Sequence, residues 1–198
     1  MRLVRSAPVT TVYVCLLAAT TLLLSLTSER FGDRVLSELS TNLHQLAHQP
    51  VRALIGSAFW AGGWSGLFLW AILLLAVLAP VERRLGSRRT LLAFAVGHIG
   101  ATLVVAAGLF VGLRIGAVSP IVEHARDVGV SYGFLAVAAL ATYLLPRRVR
   151  VAYFGLLAGY VVFHVASSGT FTDFGHLTAV ALGLACYPLA RPEATSRV

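Results

Sequence analysis

Six stretches of apolar residues run along the chain, and each is about as long as a membrane-crossing helix. They cover residues 9–27, 60–79, 91–113, 128–146, 151–168 and 174–190. The hydrocarbon core of a bilayer is ~30 Å thick and needs about 20 apolar residues per helix. The pattern therefore predicts an all-α membrane protein, with one polytopic domain over residues 1–198, six transmembrane helices and an outer loop at about 28–59.

The outer loop carries a helical pattern of its own. Its apolar residues recur at helical spacing up to the interruption at Pro50, and they are Val35, Leu36, Leu39, Leu43, Leu46 and Ala47. An amphipathic pattern of this kind is typical of a helix that lies in the membrane interface. We expect a short helix on the outer face of the membrane.

Composition supports a lipid solvent. Hydrophobic residues make up 58% of the chain and charged residues 12%, with a mean hydropathy of +0.82, which is far from the usage of soluble domains. The first apolar stretch follows Arg2 and Arg5, as a signal peptide would, but "LSLTSERF" offers no A-x-A-like cleavage site. We interpret it as a retained first helix.

The basic residues indicate the orientation of the helices. All 16 are arginines, and a cytoplasmic N-terminus places eleven of them on the inner side and five on the outer side. The two tight inner loops, "ERRLGSRR" and "RRVR", satisfy the positive-inside rule. We therefore predict a multi-pass protein of a bacterial plasma membrane with both termini in the cytoplasm. Since the arginines sit at helix ends, anionic lipid rather than nucleic acid is their expected partner.

A few polar residues in the apolar stretches need an explanation, because ionisable groups inside a membrane are costly. Ser131 and His176 lie near the outer starts of the fourth and sixth helices, which run in the same direction and can bring the two side chains together. A serine hydroxyl is a poor nucleophile unless an adjacent base removes its proton, and histidine is the usual base. His98, His164 and Asp173 are the other candidates.

A structural reading competes with the catalytic one. A membrane serine often bonds to a backbone carbonyl one turn back, and a histidine can simply bridge two helices. His98 has no polar partner expected at its depth and keeps this structural reading, as does His164. Cys15 and Cys186 are interpreted as small apolar fillers.

Other functional classes have less support in the pattern. A small transporter should carry acidic residues or broken helices near the bilayer midplane, whereas the acidic residues here lie at the outer boundary. An outer metal site is conceivable, but the spacing of its candidate ligands is not diagnostic. Those candidates are Asp127, Asp173, His124 and His176. We predict no metal and no cofactor.

Three motifs together resemble one known family. "GVSYGFLAV" at Gly129–Val137 resembles the G-x-S-G segment that begins helix 4 of rhomboid intramembrane serine proteases, and "GHLTAVALG" at Gly175–Gly183 resembles their helix 6 motif. "PVERRLGSRRTLL" is similar to the E-R-x-x-G-S-x-R element of the family. The resemblance spans roughly residues 55–190, with the motifs in the family order.

The resemblance implies a mechanism for cleaving transmembrane or juxtamembrane peptide bonds. Ser131 would be the nucleophile, and His176 its general base and later general acid, in a dyad without an aspartate. The resemblance also implies roles in oxyanion binding or close helix packing for Gly129, Tyr132, Gly133 and Gly175. The substrate would be a transmembrane protein, and the lipid bilayer would surround both the protein and its substrate.

The departures from the family pattern favour an alternative. Family members carry histidines and an asparagine along helix 2, where this chain has Ala61, Gly66 and Trp70. Tyr132 replaces a glycine, and Leu135 replaces an aromatic residue. Losing one oxyanion donor typically costs ~2.7–4 kcal/mol of transition-state stabilisation. A catalytically inactive rhomboid-like pseudoprotease that binds transmembrane segments is therefore the second hypothesis.

Overall fold

The computed structural model describes residues 5–191, and within this range all regular structure is helical. The α-helices are α1 (Pro8–Ser25), α2 (Glu29–Glu38), α3 (Leu43–His48), α4 (Pro50–Gly56), α5 (Gly63–Leu85), α6 (Ser87–Arg114), α7 (Ser131–Ala141), α8 (Arg147–Ser167), α9 (Phe171–Ala185) and α10 (Tyr187–Ala190). Short 3₁₀ turns lie at Ser57–Phe59, Pro120–His124 and Thr142–Leu144.

Four of these helices, α1, α5, α6 and α8, are long and apolar enough to cross a membrane. The chain is thus an integral, multi-pass membrane protein. The helices α7 and α9 are apolar but shorter, so the count of six spans and the cytoplasmic placement of both termini stay predictions. Arg2 and Arg197, which contribute to the predicted arginine bias, lie outside the described residues.

The helix α7 is the centre of the bundle. Every residue from Tyr132 to Ala141 is buried, and α6 and α9 pack along it. A helix enclosed by protein need not match the bilayer thickness by itself, since protein groups satisfy the backbone at its ends. This explains why the apolar stretch 128–146 yields a helix shorter than the pattern predicts.

Small residues allow the three central helices to approach closely. A Cβ added to Gly97 of α6 would overlap Ala136 of α7, and one added to Gly183 of α9 would overlap the Ala136 backbone. Membrane helices associate through such contacts because lipid removes the hydrophobic drive for their association. The glycines of the sixth apolar stretch, Gly175 and Gly183, therefore pack against α7.

A buried carboxylate joins α1 to α5 near the loop between α5 and α6. Glu82 is only 2% exposed and accepts hydrogen bonds of 2.8 Å from the Val9 amide and from the amide and hydroxyl of Thr10. Ser87 donates a fourth bond of 2.6 Å. The glutamate of the family's E-R element thus satisfies the first turn of α1, where amides have no intrahelical partners.

Arginines at the same end of the molecule bond to the 3₁₀ turn that follows α7. Arg84 donates to the Leu144 carbonyl. Arg150 donates to the carbonyls of Tyr143 at 3.2 Å and Leu145 at 3.1 Å. The carbonyls at the end of a helical segment lack intrahelical donors, and these two side chains supply donors to the turn and to Leu145.

The outer loop is helical, as its spacing predicts, but it forms three short helices, α2, α3 and α4. Asn42 caps α3 by accepting a bond from the Gln45 amide, and Pro50 begins α4. The end of the loop is fastened to α1, since the Tyr13 and Thr20 hydroxyls donate to the carbonyls of Ala58 and Phe59 at 2.6 and 2.7 Å.

Replacing Glu82 with glutamine should destabilise the bundle. The variant keeps the size of the side chain but exchanges charge-assisted bonds for weaker neutral ones, at a cost of about 2 kcal/mol. We expect a lower midpoint of thermal unfolding for Glu82→Gln in detergent micelles. Glu38→Gln is the matched control, because Glu38 pairs with Arg52 at the surface, where such pairs contribute little. Equal midpoints for the two variants would contradict the assigned role of Glu82.

Candidate functional site

The segment that leads into α7 is held by the outer loop. The Gly129 amide donates to the Ser57 carbonyl at 2.7 Å, and the Thr41 amide donates to the Asp127 carbonyl at 3.0 Å. The Asp127 amide donates to the Ser40 hydroxyl at 2.8 Å. Gly129 has φ +141°, a conformation that residues with a Cβ rarely adopt. The backbone conformation at position 129 therefore requires a glycine.

Ser131 is the first residue of α7, three positions after the start that the apolar pattern predicts, and its side chain is half-buried. It lines a cavity of about 10 Å³ together with Thr41, His98, Asp127 and Tyr132. The volume accommodates about one water molecule. Its hydroxyl makes no hydrogen bond with any of residues 5–191.

Tyr132 occupies the position where the family has a glycine, and its ring is 3% exposed. Its hydroxyl donates to the Asp127 carboxylate, at 3.0 Å to the nearer oxygen. The ring packs edge-on against His176, with centroids 5.5 Å apart. It also fills the space beside Gly175, where an added Cβ would overlap the tyrosine ring.

His176 lies on α9, one turn below its start, and faces Tyr132 rather than bonding to Ser131. Both of its ring nitrogens are buried, and neither has a hydrogen-bond partner within the described part of the chain. The helix pair α7 and α9 thus places the two predicted dyad residues at the same end of the bundle without joining them by a hydrogen bond. A resting enzyme can hold such a pair apart, so the dyad stays a prediction.

His98 on α6 has polar partners, contrary to the expectation from the sequence. Its Nε2 lies 3.0 Å from the Leu54 carbonyl and 3.1 Å from the Ser57 hydroxyl. Its Nδ1 is buried without a partner. The sequence did not reveal these contacts because they come from the outer loop, more than forty positions earlier in the chain.

Of the three positions that align with polar helix 2 residues of the resembled family, only Trp70 carries a side-chain N–H. Ala61 is a buried apolar residue. Gly66 has no room for a side chain, because an added Cβ would overlap the Ala61 carbonyl oxygen. The Trp70 ring packs edge-on against Phe134, with centroids 5.5 Å apart.

His164 and Asp173 form a structural group at the start of α9. The Asp173 carboxylate accepts bonds from the Thr170 amide at 2.9 Å and the Ser168 hydroxyl at 2.8 Å, and it completes a capping box. The His164 Nδ1 lies 3.9 Å from the same carboxylate. Asp173 therefore stabilises the first turn of α9. Among residues 5–191, Asp173 does not form a metal-binding group with Asp127, His124 and His176, the other ligands considered for an outer metal site.

The remaining glycine of the motif, Gly133, is a packing position. A Cβ there would overlap the Phe94 ring of α6. Like Gly175, it allows an aromatic side chain to lie against backbone. The aromatic rings thus pack closely against the backbone on one side, while Ser131, His98 and Asp127 line the same small cavity.

Comparison with known proteins identifies the family. A family model described as a rhomboid-like protein matches residues 2–196. The chain belongs to the rhomboid-like protein family. A search of curated proteins and a search of solved structures found no match. The resemblance drawn from the motifs is thus confirmed at the level of the family.

Asp127 makes the stability of this rhomboid-like protein depend on pH, and the direction of the effect follows from the surroundings of its carboxyl group. Burial raises the pKa of the Asp127 carboxyl from 3.8 to about 6, although hydrogen bonds from Tyr132 and Thr41 lower it. The folded chain then binds a proton more tightly than the unfolded chain, so the contribution of Asp127 to stability falls as pH rises from about 4 to about 6.

Asp127→Asn removes this titration and keeps an acceptor for the Tyr132 hydroxyl. The difference in unfolding midpoint, variant minus wild type, should therefore become more positive between about pH 4 and pH 7. Thermal unfolding of both proteins in the same detergent across that range measures it. A difference independent of pH would rule out the raised pKa.

Proposed function

We propose that this rhomboid-like protein binds transmembrane helices of other membrane proteins without cleaving them. Tyr132 is the observation that carries the proposal. It replaces the glycine that follows the serine in the family, places its ring against His176 and bonds its hydroxyl to Asp127. The proposal sets the protein in a bacterial plasma membrane with both termini in the cytoplasm, as the arginine distribution favours.

The absence of cleavage follows from what acyl transfer needs. A serine must come within hydrogen-bond reach of its base during the reaction, and donors must lie where the oxyanion develops. The His176 nitrogens have no partner among the described residues, and Ala61 and Gly66 offer no side-chain donor. The cavity beside Ser131, about 10 Å³, is far too small for a peptide segment.

Helix binding is supported by the open face of α8. Only 6% of its most apolar window is buried, against 22–28% for the other three long spans. Gly155 and Gly159 form a G-x-x-x-G pair, and a Cβ added to either would meet nothing within 4 Å. In contrast, Gly97 and Gly183 are covered by neighbouring helices. A second transmembrane helix could approach this open pair closely, as small residues allow.

A photo-crosslinking amino acid at Leu156, an exposed residue of α8, tests the binding surface. We expect discrete protein adducts when membranes that contain the full chain are irradiated. Gly155→Ile/Gly159→Ile should remove most of them, because branched side chains keep a partner helix at a distance. The readout is the set of adduct bands on a denaturing gel.

Gly108→Ile is the matched control for this experiment. Gly108 also lies in a membrane helix with open space around it, and it forms a G-x-x-x-G pair with Gly112 on α6 rather than on α8. Its substitution should leave the adducts unchanged. Adducts that persist in the double variant, or adducts with lipid alone, would count against binding at α8.

The protease is the second candidate, and one observation favours it. The Ser131 hydroxyl is half-exposed without a competing bond, and its amide lies in the first turn of α7, where N–H groups lack intrahelical acceptors. Such an amide can stabilise an oxyanion. Because Tyr132 packs against His176, cleavage would require a rearrangement that brings a His176 nitrogen to the serine.

A fluorophosphonate probe separates the two candidates. For the non-cleaving protein we expect no labelling of the wild type in membranes that also contain an active rhomboid protease as a positive control. Labelling that Ser131→Ala abolishes would establish an activated serine. Loss of the label in His176→Ala would then identify the predicted base, whereas loss only in His98→Ala would assign that role to α6.

A further inference from the structure

The surface at the start of α7 carries a cluster of potential metal ligands. His44 comes from α3, and Glu123 and His124 come from the 3₁₀ turn at Pro120–His124. One ligand atom from each of the three lies within 4.8 Å of the others, and all three side chains are exposed. Among residues 5–191, no other group of three histidine, cysteine or acidic side chains is so arranged.

Ring contacts orient the imidazoles of this cluster. The centroids of His44 and His124 are 5.0 Å apart. The ring of His48, one turn further along α3, has its centroid 4.5 Å from that of His44. The His48 Nδ1 lies 2.8 Å from the His44 carbonyl. The His44 ring therefore has two imidazole neighbours, which limit the rotation that binding of an ion would have to restrict.

The ligand types favour a transition-metal ion such as Zn²⁺ over Mg²⁺ or Ca²⁺. Two imidazoles and one carboxylate suit Zn²⁺, which binds three protein ligands and a water in many sites. Mg²⁺ and Ca²⁺ prefer oxygen ligands throughout. Zinc bonds of ~2.0–2.1 Å place tetrahedral ligand atoms roughly 3.3 Å apart, a distance that exposed side chains within 4.8 Å of one another can reach by small rotations.

We propose that His44, Glu123 and His124 bind a Zn²⁺ ion that joins the outer loop to the segment entering α7. The ligands come from segments about eighty positions apart in the chain. His124 stands only three positions before Asp127, whose backbone already bonds to Ser40 and Thr41. The ion therefore adds a second fastening beside the site. This inference does not depend on whether the protein cleaves its partners.

Metal binding is tested on the full chain, purified in detergent with a tag that contains no histidine. Isothermal titration with Zn²⁺ should give one site per chain, with no comparable heat from Mg²⁺ or Ca²⁺. His44→Ala and His124→Ala should each weaken zinc binding by at least about 10-fold, since even indirect supports of a metal site are worth that much. Glu123→Gln should weaken it as well.

His164→Ala is the matched control, because it removes an imidazole at the other side of the outer end, beside Asp173. It should leave zinc binding unchanged. Unfolding midpoints of the metal-free variants check that each still folds. The site is refuted if wild type takes up no zinc at micromolar concentration, or if His44→Ala/His124→Ala binds zinc as tightly as wild type.

A separate measurement tests whether the ion links the outer loop to the segment entering α7. A ligand that binds only the folded chain raises its stability, so saturating zinc should raise the unfolding midpoint of the wild type and not that of His44→Ala/His124→Ala. Zinc binding at this cluster with an unchanged midpoint would overturn the proposed link between the loop and α7. The fluorophosphonate and crosslinking results bear on the proposed function alone, so the two proposals fail separately.

Discussion

Close approach of three helices at Ala136 is the contact on which the rest of the molecule depends. Gly97 on one side and Gly183 on the other bring α6 and α9 against α7, and neither position has room for a Cβ. In a lipid environment helices gain little from simply hiding apolar surface, so close packing and polar contacts must hold them together. The position of Ser131 at the start of α7 follows from that packing.

The outer loop supplies further contacts at the start of α7. Its backbone bonds to residues 127–129 settle where α7 starts, and its Ser57 hydroxyl and Leu54 carbonyl fix the ring of His98. The same end of the bundle thus holds polar groups that are satisfied by the loop and others, such as the His176 nitrogens, that are not. Unsatisfied buried nitrogens are uncommon in folded proteins, and those of His176 lie beside the Tyr132 ring.

Much of this arrangement was predictable from local signals in the sequence. The apolar stretches predicted the long helices, and the serine, histidine and glutamate motifs predicted the family and placed Ser131 near the start of α7. The surroundings of Ser131 were not predictable, because they depend on long-range contacts. Nothing near Tyr132 in the sequence says that its ring will lie against His176, and nothing near His98 points to its bonds with Leu54 and Ser57. The helix boundaries also shifted, since α5 continues through the arginines that end the hydropathy signal.

The arginines that bond to the turn after α7 have a consequence for how membrane orientation is encoded. Arg84 and Arg150 belong to the charge bias that favours a cytoplasmic position for their loops, yet they also satisfy the carbonyls of residues 143–145, which follow the central helix. Moving either charge to invert the protein would remove some of the donors to that turn. Orientation and folding therefore share the same side chains, and in this chain one cannot be engineered independently of the other.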